Sequence, residues 1–123
     1  MSHDLYQEII LEESKHPHNF GALPNPDVAH TEKTSCGDTV AVTIELSADK
    51  TVITNLLWEG EGCVISKAFS SALSQAVIGK SVAEVLSWEL ADVLKLLGLD
   101  EISPGRVHCV LISLYALRHA LQK

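Results

Sequence analysis

The sequence TVAVTIELSADKTVITNLLWEG, residues 39–60, contains two apolar-rich runs on either side of a short polar segment, SADK. In the first run every second residue from Val40 to Leu46 is apolar, which is the period of a β-strand with one buried face. The second run is rich in β-branched and aromatic residues, and SADK is typical of a turn. The stretch therefore predicts an antiparallel hairpin centred on Asp49.

The apolar pattern also indicates a register for this hairpin. With the turn centred as above, Val42 faces Leu56, and most apolar side chains lie on one side of the sheet. A slip of one residue would pair Val42 with Asn55 instead. We therefore expect the first register, which places Gly62 opposite Cys36.

Apolar residues at helical spacing predict helices on both sides of the hairpin. The predicted elements are a first helix in HDLYQEIILEESK (3–15), a loop in HPHNFGALPNP (16–26), a strand in DVAHTEK (27–33), and helices in VISKAFSSALSQAVIG (64–79), residues 81–86, WELADVLKLLG (88–98) and PGRVHCVLISLYALRHALQK (104–123). This order predicts an α+β fold, a small three-stranded antiparallel sheet with helices packed on one face.

Composition limits the function classes that the chain can serve. Its 123 residues suit one domain, 1–123, and a net charge of −7 with only nine scattered basic residues argues against a nucleic-acid surface. No apolar run approaches the roughly 18–20 residues that span a bilayer, so we expect no membrane segment. The N-terminal sequence lacks the features of a signal peptide, and three separated cysteines suit reduced thiols. A cytoplasmic protein is expected.

The predicted hairpin brings two cysteines together. Cys36 and Cys63 lie at the same end of the sheet, in strands about 4.8 Å apart, and Asp38 points to the same side as Cys36. Cys63 and Cys109 lie near the starts of helices, which are expected to lower a thiol pKa, and His108 adds an imidazole. Three thiolates with a carboxylate or an imidazole form a tetrahedral site that suits zinc or an iron–sulfur cluster.

Two other interpretations use the same residues. Buried cysteines often serve packing alone. Alternatively, Cys109, His108 and Asp38 would form a cysteine hydrolase site. Adjacent helical residues diverge by about 100°, so the His108 ring is expected to be poorly placed as a base for Cys109.

Three cysteine motifs carry a family resemblance. SCGDTVAVTIEL contains a Cys-Gly-Asp motif and its strand, LLWEGEGCVISKAFSSAL surrounds the second cysteine, and VHCVLISLYALRHAL contains the third. Together with YQEIILEESKHPHNFGAL they cover nearly the whole chain. In this order and at these separations they resemble the U-type iron–sulfur cluster scaffold proteins, namely IscU, SufU and the N-terminal domain of NifU.

The resemblance implies a SufE/NifU-like scaffold fold and a binding protein rather than an enzyme. It implies that a cysteine desulfurase supplies sulfur and that a transient [2Fe–2S] cluster is built on Cys36, Cys63 and Cys109. The cluster would then pass to apo iron–sulfur acceptor proteins. Asp38 would lie beside the cluster, and His108 matches the histidine before the third cysteine in the IscU branch. An Asp or His ligand would bind less firmly than a thiolate and allow release, and Zn²⁺ would suit the same site.

The sequence departs from both branches of this family. It lacks the Leu-Pro-Pro-Val-Lys motif of the IscU branch, which argues against a dedicated Hsp70-type chaperone partner. It also lacks the long insertion that the SufU branch carries before its third cysteine. Two hypotheses therefore stand: a cluster assembly scaffold, or a zinc-bound sulfur acceptor that acts as a sulfurtransferase-like partner of a cysteine desulfurase.

Overall fold

The computed structural model describes residues 3–35 and 37–122, with side chains from residue 7 onward. This part of the chain folds into an antiparallel sheet with helices packed on it. The elements in chain order are α1 (His3–Lys15), β1 (Val28–Lys33), β2 (Thr39–Leu46), β3 (Ile53–Glu61), α2 (Val64–Val77), α3 (Val82–Leu86), α4 (Leu90–Lys95), a 3₁₀ turn (Pro104–Arg106) and α5 (Val107–Leu121). The strands lie in the order β1-β2-β3, and both pairs are antiparallel. The α+β fold with a three-stranded sheet is confirmed.

The predicted hairpin exists, but its predicted register is wrong by two residues. Val42 pairs with Trp58 rather than with Leu56, and a register shift follows between Glu45 and Leu46. The loop accounts for one residue of this difference, since Leu46 pairs with Ile53 rather than with Val52, and the irregularity between Glu45 and Leu46 adds the other. Within the loop, the Asp49 carboxylate accepts hydrogen bonds from the hydroxyl of Ser47 and from the amide and hydroxyl of Thr51. A two-residue change preserves the alternation of faces, so the predicted buried face of β2 is correct.

The helices cover one face of the sheet. The inward positions of β2 and β3 are fully buried, and α2 packs on β3 while α5 packs on β1 and β2. The core is built from aliphatic and aromatic side chains of the sheet and of the helices that pack on it. The largest fully buried side chains include those of Ile44, Trp58, Phe69, Ile112 and Leu117. No helix in the described range is long and apolar enough to cross a membrane.

The loop after α1 is fastened to the edge of β3. The Trp58 amide donates to the Asn19 carbonyl at 3.0 Å, and the Gly21 amide donates to the Trp58 carbonyl at 2.8 Å. The Trp58 indole N–H also donates to the His18 carbonyl at 2.8 Å, while the His18 amide donates to Ser71 of α2. These hydrogen bonds explain how a proline-rich segment holds one conformation. The His18 side chain adds a contact of its own, since Nδ1 lies 2.9 Å from a carboxylate oxygen of Glu13 in α1.

The short elements that follow α2 agree with the sequence signals. Ser81 caps α3, because its hydroxyl accepts a hydrogen bond from the Glu84 amide at 3.1 Å. Gly98, with φ of +74°, adopts the left-handed conformation that ends the α4 segment. A 3₁₀ turn then leads into α5, so residues near position 108 arrive at the same end of the sheet as the start of β2 and the end of β3.

Candidate metal centre

An open cleft of about 460 Å³ lies at this end of the sheet. It is lined by residues before β2, after β3 and at the start of α5, namely Gly37, Asp38, Gly62, Cys63, Gly105, Arg106, His108 and Cys109. Three segments far apart in sequence therefore meet there. The predicted hairpin placed the first two cysteine motifs at this end of the sheet, and the family resemblance implied that the third joins them; Cys36 itself lies outside the described residues.

Asp38 is held in a fixed position inside the cleft. Its side chain is almost completely covered, with 6% of the residue exposed. The Asp38 amide donates to the Thr34 hydroxyl at 3.2 Å, and the Asp38 carbonyl accepts from the Thr34 amide at 2.9 Å. One carboxylate oxygen accepts a hydrogen bond from the Cys63 amide at 3.1 Å. This network directs the carboxylate towards the second cysteine motif, and Thr34 is a contributor that the sequence analysis missed.

Gly62 is the residue that lets the carboxylate approach so closely. It has φ of +138°, and a Cβ atom placed there would lie 2.7 Å from Cγ of Asp38 and 3.1 Å from its Cα. No side chain fits that space, because real Cβ contacts are longer. The observed register thus places Gly62 against Asp38, whereas the predicted register placed it opposite Cys36, which was wrong.

Replacing Gly62 by alanine is expected to displace the Asp38 carboxylate and weaken zinc binding at least tenfold, with a loss of about 1–3 kcal/mol in the free energy of unfolding. The cause is the collision with Asp38, added to the strain of a positive φ. Zinc titration and urea denaturation measure the two effects. Gly79→Ala is the matched control, since Gly79 has φ of +92° but nothing within 4 Å of its Cβ position. Equal zinc affinity in Gly62→Ala and wild type would contradict the assignment.

Cys63 lies at the junction of β3 and α2, where it occupies the N-cap position. Its sulfur lies 3.8 Å from the second carboxylate oxygen of Asp38 and 3.9 Å from the Ser66 hydroxyl. The Ser66 hydroxyl donates to the Cys63 carbonyl at 2.9 Å, which fixes the first turn of the helix. Ser66 was also missed; its place three residues after the cysteine, on the same side of the helix, was the available signal.

Cys109 and His108 contact each other, contrary to the expectation from their sequence positions. His108 Nε2 lies 3.5 Å from Cys109 Sγ. Their Cα–Cβ bonds diverge around the helix, but rotation about the side-chain bonds of histidine brings its ring back to the sulfur. The predicted separation of the two side chains was wrong. His108 is therefore placed as a neighbour of the thiol.

The local environment disfavours the Cys109 thiolate in the metal-free protein. Cys109 is 2% exposed, and burial, followed by the neighbouring Cys63 and Asp38, raises the pKa of its thiol to about 12. The expected lowering by the helix N-terminus was wrong, because burial and nearby negative charge outweigh the helix dipole here. A metal ion that binds this thiol must displace its proton.

These side chains form a donor set that suits a soft metal centre. Donor atoms of Asp38, His108 and Cys109 all lie within 4.8 Å of one another, and the Cys63 sulfur lies 3.8 Å from the Asp38 carboxylate. Sulfur, imidazole and carboxylate are ligands that zinc and iron–sulfur centres accept. The residues thus fit such a group, with the cleft open to solvent on one side.

Comparison with known proteins agrees with the family that the sequence resembles. A family model described as the NifU-like N-terminal domain matches residues 5–123. An iron–sulfur cluster assembly scaffold protein IscU from Streptococcus pyogenes serotype M1 is 32% identical, with 97% of this chain and 84% of the relative covered. The zinc-dependent sulfurtransferase SufU of Bacillus subtilis strain 168 is 30% identical, with 97% and 90% covered.

A solved structure extends this similarity to three dimensions. A protein described as a candidate scaffold for iron–sulfur cluster assembly in the SUF system of Fervidobacterium islandicum AW-1 superposes with a TM-score of 0.78 at 28% identity, and 98% of this chain and 99% of that one are covered. The family model matches almost the full length of the chain, and two relatives are 30% and 32% identical to it over 97% of its length, which establishes the classification. The chain belongs to the family of NifU-like N-terminal domains.

Proposed function

We propose that this protein is an iron–sulfur cluster assembly scaffold. It accepts sulfur from a cysteine desulfurase together with iron, assembles a labile [2Fe–2S] cluster, and transfers the cluster to apo-proteins. The observation that carries the proposal is the convergence of Asp38, Cys63 and Cys109 on one open cleft at the end of the sheet. Membership of the family and the scaffold names of its relatives support it.

Each residue of the cleft has a distinct role in this proposal. Cys63 and Cys109, with Cys36 contributed by the first motif, bind iron through sulfur. Asp38 or His108 supplies the weaker fourth ligand, which leaves the cluster able to depart. The hydrogen bond from the Cys63 amide fixes the orientation of the Asp38 carboxylate, so the carboxylate needs little rearrangement when it binds the metal. A single domain of residues 1–123, working in the cytoplasm with a desulfurase and apo-proteins as partners, completes the proposal.

Anaerobic reconstitution with ferrous iron, cysteine, a cysteine desulfurase and a thiol reductant, which supplies the electrons that convert persulfide sulfur to sulfide, tests the function. We expect visible absorbance of a [2Fe–2S] cluster, with about two iron atoms and two sulfides per cluster. Incubation with an apo-ferredoxin should then move the absorbance to the acceptor. Zinc retained with no visible absorbance would contradict the scaffold proposal and favour the alternative, a zinc-bound sulfur acceptor such as the name of the Bacillus relative describes.

A further inference from the structure

Two histidines and a glutamate meet where the edge strand β1 faces helix α5. One carboxylate oxygen of Glu32 lies 3.0 Å from His30 Nε2 and 2.7 Å from His119 Nδ1. The two imidazole rings lie edge to face with their centroids 5.2 Å apart. We propose that His30, Glu32 and His119 bind a divalent first-row transition-metal ion at a second site, distinct from the candidate cluster site.

The three polar side chains lie between the edge strand β1 and helix α5, which pack against each other. Val28, His30 and Glu32 alternate on one side of β1, which is the half-buried side, and α5 packs against this strand. The side chain of His30 is 24% exposed, that of Glu32 22% and that of His119 50%. These groups are therefore partly removed from water, yet one edge of the cluster is open enough for an ion and its water ligands to enter.

The donor set has the chemistry of a metal site. Two imidazole nitrogens and a carboxylate oxygen suit zinc, iron and their neighbours, and their donor atoms all lie within 4.8 Å of one another. At Zn–N distances of about 2.0–2.1 Å, tetrahedral donors lie about 3.4 Å apart. Side-chain rotations that bind the ion lengthen the two hydrogen bonds by less than an ångström and bring the two ring nitrogens, which lie within 4.8 Å of each other, to the same spacing. The ion takes the place of the protons now shared with Glu32, and water fills the remaining position.

This site is separated from the cleft by the length of α5. His119 follows Cys109 by ten residues in that helix, which corresponds to about 15 Å along its axis. A single ion therefore does not contact both sites. An ion at the second site links β1, which leads into the Thr34–Asp38 turn, to the helix that carries His108 and Cys109. It would stabilise the two elements that position the candidate cluster ligands.

Zinc titration of a variant with Cys36, Cys63 and Cys109 all replaced by serine tests the proposal. Calorimetry at neutral pH should show about one equivalent of Zn²⁺, with affinity reduced by at least about tenfold in His119→Ala and in Glu32→Gln. Glu32→Gln keeps a hydrogen-bond acceptor at this position, so this variant is expected to remain folded. His16→Ala is the control, because His16 and its partner Glu12 form a pair with both side chains 75% exposed.

Histidine ring spectra supply a second measurement that does not depend on affinity. In long-range ¹H–¹⁵N correlation spectra, zinc should shift the ring nitrogens of His30 and His119 and leave those of His16 unchanged. In the protein with all cysteines present, Glu32→Gln should remove one zinc equivalent and retain the other. Absence of bound zinc in the serine background, equal affinity in His119→Ala, or unshifted His30 and His119 rings would each overturn the proposal.

Discussion

Replacing Cys109 by serine is expected to abolish cluster assembly, with the yield of [2Fe–2S] absorbance falling by at least about tenfold. A buried thiol is the only sulfur donor that α5 brings to the cleft in the described part of the chain, and a serine oxygen is a poor substitute because iron–sulfur clusters are held by thiolates. The change is nearly isosteric, so the fold should survive. Anaerobic reconstitution followed by absorption and circular dichroism spectra measures cluster and fold together.

Ser113→Ala provides the matched control for this substitution. Ser113 lies one turn further along the same helix and is similarly buried, but it lines a small internal cavity rather than the cleft. Its hydroxyl has no hydrogen-bond partner among the described residues, so its removal costs no hydrogen bond. We expect wild-type cluster yield from Ser113→Ala. A wild-type yield from Cys109→Ser would contradict the role assigned to the third motif.

Replacing Asp38 by alanine is expected to lengthen the lifetime of the assembled cluster and slow its transfer, each by about tenfold. This factor corresponds to about 1.4 kcal/mol in the barrier to release. The carboxylate is a weaker ligand for a cluster than sulfur, and its charge adds to that of the surrounding thiolates. Its removal should therefore favour retention of the cluster. The decay of visible absorbance under air and the rate of transfer to apo-ferredoxin are the measurements.

Asp38→Asn separates the role in cluster release from the structural role of the residue. The asparagine oxygen can still accept the hydrogen bond from the Cys63 amide, whereas alanine leaves that amide without this acceptor. If charge and ligand strength control release, Asp38→Asn and Asp38→Ala will both slow transfer. An unchanged lifetime in Asp38→Asn would assign the effect of alanine to disturbed structure and would reject the proposed role of the carboxylate.

The sequence predicted which side chains of β2 face the core, but it did not predict the register of the β2–β3 hairpin. Alternation in β2 identified Val40, Val42 and Ile44 as inward residues, and all three are buried. The register depended instead on how the chain closes the loop between the two strands. Asp49 closes the loop from Ser47 to Thr51 by three hydrogen bonds. A sequence pattern with a period of two cannot distinguish registers that differ by two residues.

The sequence predicted the candidate ligands of the site, but it did not predict the direction of the pKa shift of Cys109. The motifs named Asp38, Cys63, His108 and Cys109, and the structure brings all four to one cleft. The positions of Cys63 and Cys109 near helix starts predicted lowered thiol pKa values, whereas burial and neighbouring charge raise the pKa of Cys109. Desolvation depends on what packs around a group, and that information is spread over three segments of the chain.

The sequence by itself determined the α+β class, the buried face of β2 and, through the hairpin, the meeting of the first two cysteine motifs at one end of the sheet. These properties follow from local periodicity and from the order of elements along the chain. The tertiary structure decided the register, the contact of His108 with Cys109, and the cluster of His30 and Glu32 with His119, 87 residues away from Glu32. The physical reason is that side-chain rotation and long-range packing, rather than local periodicity, set the distances between donor atoms.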